Sequence, residues 1–245
     1  MEKVRLTITG NMRVAPSVWR MQLEGDVKAV KSPGEFVNIA IDGLYLRRPI
    51  SVCDKCRNTI ILLYKVVGEG TERMSQMQKG EELEVLTGLG NGFCTDIDAQ
   101  RVLLAGGGIG IAPLYWLAKE LINKGKEVMA ALCFNTGEEV FYAEAFEELG
   151  VRVYRVTVDG TFGTKGYVTD LIREKQLTFD YFYGCGPTPM LKALCNGTEA
   201  SGEVSLEARM GCGFGICMGC SIETSEGFKR ICKEGPVFKK EILKW

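Results

Sequence analysis

Histidine does not occur anywhere in the 245 residues. Within this chain, that absence excludes Rieske centres, Ser-His and Cys-His nucleophilic catalysis, and zinc or haem sites that require imidazole. Chemistry here must come from a cofactor. Charge of one sign is lacking as well: 30 Lys and Arg stand against 31 Asp and Glu, for a net charge of −1, so nucleic acid is not the expected partner. Long apolar runs are also missing. Val102 to Ala118 carries no charge, but it is marginal in length for a membrane segment and is interrupted by four glycines and Pro113. It reads as a buried strand, a turn and a helix. The opening residues Met1 to Thr9 alternate polar and apolar like a strand and contain no apolar signal core, which predicts a cytoplasmic protein without a membrane.

Cysteine is plentiful: there are ten, and three fall in Arg209-Met210-Gly211-Cys212-Gly213-Phe214-Gly215-Ile216-Cys217-Met218-Gly219-Cys220. The spacing C-x4-C-x2-C matches the first three ligands of a plant-type two-iron cluster loop. The interleaved glycines supply positive φ and let peptide N–H groups approach sulfur without a Cβ in the way. Cys232, with eleven residues between it and Cys220, can return on a short hairpin as the fourth thiolate. Structural zinc is the competing reading, but its usual pattern is two C-x2-C knuckles, and here only Cys217 and Cys220 form one. Buried thiols with no ligand role fit poorly among so many glycines, and disulfides fit poorly in a chain without signs of secretion. Cys53 and Cys56 form a further C-x2-C across an expected hairpin turn, with no partner pair nearby in the sequence.

The first hundred residues read as six short strands, Lys3 to Thr9, Val18 to Leu23, Phe36 to Ile41, Arg48 to Cys53, Thr59 to Val67 and Glu82 to Leu86, which predict a small closed antiparallel barrel. After the fifth strand, Gly68-Glu69-Gly70-Thr71 leads into a short helix expected over Glu72 to Gln78 with Thr71 as its cap. A helix start preceded by glycines suits phosphate. Upstream, Arg47 and Arg48 precede Pro49-Ile50-Ser51; they are either a solvated surface pair or, with the helix start, an arginine and a helix end for a pyrophosphate beside a strand edge for a flat ring.

From Arg101 the pattern changes to alternating strands and helices, which predicts a parallel sheet covered on both faces. Strands are expected at Arg101 to Ala105, Glu127 to Phe134, Val151 to Val158 and Phe179 to Tyr183. Helices are expected at Ala112 to Lys124, Val140 to Leu149, Tyr167 to Lys175 and Pro187 to Cys195. Gly106-Gly107-Gly108-Ile109-Gly110 departs from G-x-G-x-x-G/A, because Ile111 holds the last position. It is either a packing turn or a nucleotide turn. Cys185-Gly186-Pro187 places a second bare backbone at a strand's carboxyl end. The loop Asn135 to Glu139 holds no basic residue, which favours a free ribose hydroxyl over a 2′-phosphate. The expected divisions are a barrel over 1–98, an α/β domain over 99–198 and a cluster subdomain over 199–245.

The order of these motifs resembles the ferredoxin-NADP reductase superfamily over nearly the whole chain. With the terminal cysteine stretch, Leu46 to Ser51, Cys185 to Leu191 and Gly235 to Phe238, it is similar to the electron-transfer subunits of dihydroorotate dehydrogenase B. That resemblance implies an FAD-binding barrel, with Arg48, Pro49, Ile50 and Ser51 holding the isoalloxazine and phosphates. It implies Leu63, Tyr64 and Lys65 along the flavin and ribityl chain, and Gly70 and Thr71 at the pyrophosphate. It implies NAD at Gly107, Gly108, Gly110, Cys185, Gly186 and Pro187, and a [2Fe-2S] cluster on Cys212, Cys217, Cys220 and Cys232. It also implies an FMN-containing catalytic partner, two of each subunit in a heterotetramer, and no catalytic side chain in this chain itself. Ile50 stands where many members of the superfamily carry an aromatic residue. A related FAD and [2Fe-2S] relay serving ferredoxin, hydrogenase or sulfide chemistry, and a regulatory nucleotide-binding module with a zinc knuckle, are the alternatives.

Overall fold

The computed structural model describes all 245 residues, Met1–Trp245. The chain divides into two units, Met1–Phe93 with Glu207–Val237, and Cys94–Leu206 with Phe238–Trp245. In the first unit, β1 (Glu2–Ala15), β2 (Val18–Gly25), β3 (Phe36–Ile39), β4 (Arg48–Cys56), β5 (Thr59–Lys65) and, after helix α1 (Glu69–Gln76), β6 (Glu82–Leu89) close into a barrel of order β1-β2-β5-β4-β3-β6. Period-two alternation builds it: Leu6 and Ile8 on β1 are fully buried while Arg5 is exposed. β3 breaks the alternation, because Phe36, Val37, Asn38 and Ile39 are all buried. The reason is local packing: the segment after residue 207 covers the outer face of this strand, with the Asn38 amide against Cys212 and Pro236 near Gly90 and Phe36.

Helix α1 begins three residues earlier than its sequence pattern suggests. Gly68 is the N-cap, and Thr71 sits inside the first turn, where its Oγ1 accepts the N–H groups of Val67 (3.0 Å) and Gly68 (3.3 Å) and donates to the Gly68 carbonyl. Thr71 therefore closes the helix start from within rather than from outside.

The second unit is a seven-stranded sheet of order β10-β9-β8-β7-β11-β12-β15. Its elements are β7 (Arg101–Gly107), α2 (Ala112–Asn123), β8 (Glu127–Phe134), α3 (Ala143–Glu148), β9 (Arg152–Thr157), β10 (Thr164–Lys165), α4 (Val168–Glu174), β11 (Tyr181–Cys185), α5 (Thr188–Gly197) and β12 (Ser201–Ser205). Between β12 and β15 (Val237–Lys239), β13 (Ser221–Thr224) and β14 (Gly227–Arg230) form the expected hairpin before Cys232. Residues Val102 to Gly107 of β7 are all buried, as a central parallel strand requires. α2 buries Leu114, Leu117, Ala118 and Leu121 at helical spacing and stops before Gly125, which has φ +74°.

Three boundaries move from their expected places. The first unit ends at Phe93, since the N–H of Cys94 donates to Glu203 Oε2 at 2.9 Å and Tyr183 donates its hydroxyl proton to the Cys94 carbonyl. The sheet unit runs to Leu206 because Ser201–Ser205 pairs in parallel with β11, a strand too short and polar to stand out in the sequence. α3 is shorter than Val140–Leu149, because Phe141 buries against Phe134 and Tyr142 takes a left-handed φ of 63° that a helix cannot continue through.

Candidate functional site

Three candidate sites are built from different local devices. The thiolate loop lies in the first unit. Cys220 and Cys232 are buried with their Sγ atoms 3.3 Å apart, and the Cys232 N–H points at Cys220 Sγ (3.4 Å). Cys212 and Cys217 form a second pair nearer the surface. Cys212 Sγ faces the N–H groups of Ile216 (3.3 Å), Phe214 (3.5 Å) and Cys217 (3.5 Å), while the Cys212 N–H faces Cys217 Sγ (3.5 Å). Burial works against ionisation of Cys212, but the N–H groups of Cys217, Phe214 and Ile216 outweigh it and bring the thiol down to about 6. Cys232 goes the other way: burial first, then the neighbouring Cys220 thiol, push it up. A bound cation would favour the Cys232 thiolate against both effects.

This arrangement fits a two-iron cluster. Each iron of such a cluster takes two thiolates, and the four sulfurs fall into two pairs. The loop itself is stitched by Arg230, whose Nη1 donates to the Gly215 carbonyl (2.5 Å) and whose Nε and Nη2 bind the Glu234 carboxylate.

The second site is at the start of α1. A Cβ on Gly70 would collide with the guanidinium of Arg48, so that guanidinium lies directly over the first turn of the helix. Its Nη1 is held by the Leu46 carbonyl. A guanidinium above a glycine helix start is a cradle for a pyrophosphate, combining fixed charge with N–H groups and the helix dipole. On the neighbouring strand, register sets Phe36 opposite Ser51 and Asn38 opposite Pro49. Arg47 does not join Arg48: it pairs with Glu84 and donates to the Asn38 carbonyl at 3.4 Å. On β5, Leu63 and Tyr64 are buried and Lys65 is exposed. The Tyr64 hydroxyl donates to Asn11 Oδ1 (3.0 Å), so what β5 offers a ligand is Lys65 and its own backbone.

The third site lies at the carboxyl ends of β7 and β11, where Gly106 and Cys185 are in register. A Cβ at Gly110 would lie 2.5 Å from the Cys185 carbonyl oxygen, and one at Gly107 would lie 2.8 Å from both Pro187 Cδ and Met190 Sδ. The two turns are therefore locked backbone to backbone. Gly108 has φ +54° and open space where a Cβ would be. Gly107, Gly108, Gly110, Cys185, Gly186 and Pro187 thus come together, whereas the first glycine, Gly106, packs on Ile111 and Leu114. Next to β8, the Glu139 carboxylate accepts the N–H and the amide of Asn135, each at 3.1 Å.

Two features of these sites were not signalled by the sequence. The Arg230–Glu234 stitch resembles any charged helix-spaced pair, and Asn38 sits in an apolar strand where nothing local announces its contact with a loop 174 positions away.

Comparison with known proteins agrees with this layout. Residues 207–244 match the iron-sulfur cluster binding domain of dihydroorotate dehydrogenase B, and residues 104–196 match the oxidoreductase NAD-binding domain. The dihydroorotate dehydrogenase B (NAD(+)) electron transfer subunit of Fusobacterium nucleatum is 43% identical over 246 residues, covering 95% of each chain. Its counterpart in a Geobacillus species is 43% identical over 251 residues, covering 98% of this chain and 97% of the relative. Among solved structures, a chain of the NADH-dependent reduced ferredoxin-NADP oxidoreductase, from work on flavin-based electron bifurcation, superposes with a TM-score of 0.89 at 30% identity, covering 98% of this chain and 90% of that one.

Proposed function

This chain belongs to the family of dihydroorotate dehydrogenase B electron transfer subunits, and on that premise we propose that it relays electrons between a catalytic partner and NAD. The observation that carries the reading is the pairing of the four thiols, two and two, in the same unit as the Arg48 cradle. The partner is an FMN-containing subunit that oxidises dihydroorotate to orotate, and two copies of each chain assemble. Dihydroorotate gives up two electrons and two protons; NAD(+) takes two electrons and one proton, and the second proton goes to solvent. When bound, FAD exchanges a hydride with a nicotinamide and single electrons with a [2Fe-2S] cluster, which is why both groups are needed in series.

The residues of this chain bind and orient. Cys212, Cys217, Cys220 and Cys232 hold the cluster, and the N–H groups aimed at Cys212 Sγ tune it. Arg48, with Gly70 and Thr71, holds the FAD pyrophosphate, while Pro49, Ile50, Ser51 and the Leu63–Lys65 backbone line the flavin. Gly107, Gly108, Gly110 and Cys185-Gly186-Pro187 receive NAD, and the acidic loop ending in Glu139 accommodates a ribose hydroxyl rather than a phosphate. No side chain acts as acid or base. Ile216 and Met218, within the thiolate loop, and Phe228, on the hairpin after it, are exposed and give the partner an apolar footing close to the cluster. No helix is long and apolar enough to cross a membrane, and the reading puts the complex in the cytoplasm, where thiols stay reduced.

A pull-down of the reconstituted protein, followed by cofactor identification, tests this. The expected result is a yellow-brown protein with FAD and iron, a rhombic EPR signal on reduction, and an FMN partner that oxidises dihydroorotate. A flavin-free protein holding one zinc, or a hydrogenase or other flavoprotein as partner, would overturn it. The related ferredoxin-linked relay is the second reading, favoured by the solved structure at 30% identity and outweighed by relatives at 43%.

A further inference from the structure

Asn38 is a polar residue where stability alone would place an apolar one. It lies on β3 between Val37 and Ile39, is 1% exposed, and its Oδ1 has no hydrogen-bond partner. A buried amide oxygen without a donor costs about 1–3 kcal/mol, a cost that leucine of similar shape would avoid. The other end of the amide explains its presence. Asn38 Nδ2 donates to the Cys212 carbonyl at 3.2 Å, and Gly213, with φ +79°, is pressed so close that a Cβ there would strike the same nitrogen. Asn38 thus grips the two residues that open the thiolate loop.

Its other attachments belong to the flavin strand. Register pairs Asn38 with Pro49, between Arg48 and Ile50, and Arg47 donates to the Asn38 carbonyl. One residue therefore joins the strand assigned to FAD with the first cluster ligand, through one backbone ladder and one side-chain hydrogen bond. Releasing the Cys212 carbonyl would free Cys212 to shift its Sγ relative to the N–H groups of Phe214, Ile216 and Cys217 that face it, and such hydrogen bonds help to set a cluster's potential.

We infer that Asn38 is a positioning residue: its amide fixes the Cys212 peptide against the flavin strand, and so sets the cluster's N–H···S pattern and its alignment for electron exchange with FAD. The inference rests on the functional reading above.

The test compares Asn38→Leu, Asn38→Gln and Asn38→Asp in the reconstituted full chain. Asn38→Leu is expected to melt within about 3 °C of the parent, because removing the unsatisfied Oδ1 offsets the loss of the hydrogen bond to the Cys212 carbonyl. FAD content and the rate of flavin reduction by NADH stay the same. The EPR signal of the reduced cluster broadens and its g-values move, and reduction of the cluster by the flavin slows about tenfold or more. Asn38→Gln, which keeps the donor, recovers part of both signals; Asn38→Asp, which sets an acceptor against the Cys212 carbonyl, recovers neither. An unchanged EPR signal with a rate within about twofold of the parent in Asn38→Leu overturns the inference. So does a variant that loses its fold together with its cluster, since Asn38 would then be only a structural residue. If the parent protein itself holds neither flavin nor cluster, the functional reading fails; if it holds both and Asn38→Leu is indistinguishable from it, only this inference fails.

Discussion

Around Cys212 the backbone is irregular, and its shape is kept by side chains: Asn38 on one flank, Arg230 and Glu234 on the other, and sulfur as acceptor for three N–H groups. Around Gly108 nothing of the kind is needed. There the turn is kept by strands on both sides and by a backbone contact so close that Gly110 has no room for a methyl group. On the proposed reading both regions bring bare peptide to a ligand, but one depends on metal–sulfur bonds to complete it and the other is complete as folded. Regions of the first kind fail when the ligand is lost; those of the second kind fail when a side chain is added.

The largest effect that sharpens this contrast comes from Cys217→Ser. The cluster EPR signal should vanish and dihydroorotate-driven NADH formation should fall to background, while NADH still reduces the FAD. Loss of flavin reduction as well would mean that the two regions are not separable. Arg48→Ala should weaken FAD about ten- to a hundredfold, the loss expected of a charge-assisted contact, with titration of the apoprotein by FAD as the measurement. Iron content should remain that of the parent. Gly110→Ala should leave FAD and cluster spectra intact yet lower kcat/KM for NADH and cost about 1–3 kcal/mol of stability, read by steady-state kinetics and denaturant melts. A parent-like kcat/KM would show that the turn tolerates what its geometry forbids.

The smallest effect concerns Glu203, which burial holds above the ordinary carboxylate range, against the lowering pull of the Cys94 N–H. A carboxyl raised by folding binds its proton more tightly in the native state, so its unfavourable contribution grows as pH rises from the unfolded value toward the folded one. Glu203→Gln keeps an oxygen for Cys94 and should raise the melting temperature by about 2–4 °C at pH 8, with the gain shrinking toward pH 4. A gain independent of pH would remove the charge from the explanation.

The sequence made legible whatever rests on local periodicity. β-Branched or alternating residues between turn signals marked the six barrel strands, the unbroken apolar run marked β7, and C-x4-C-x2-C with a later cysteine marked the thiolate loop. Contacts between distant segments stayed hidden. β12 is Ser201-Gly202-Glu203-Val204-Ser205, polar by any local measure, and is a strand because β11 offers it an edge. The start of α1 shifted because Gly68, a weak signal for an N-cap, closes the helix with help from Thr71 inside it. Arg48 was legible as a charge near a glycine helix start, while Arg47 beside it was separable only once its partner Glu84 on β6 came into view. Asn38 is the extreme case, since its partner lies 174 positions away in a segment that the chain reaches only after β12.

That late arrival has a consequence for biogenesis. As the ribosome extrudes the chain, the outer side of β3 emerges early, but residues 207–237, which cover it, are made after six of the seven strands of the sheet in the second unit. Until they follow, Phe36 lacks the cover that the Pro236 side gives it. Cys212, Cys217, Cys220 and Cys232 all follow β12, so the four-thiol site can assemble only once that stretch has emerged.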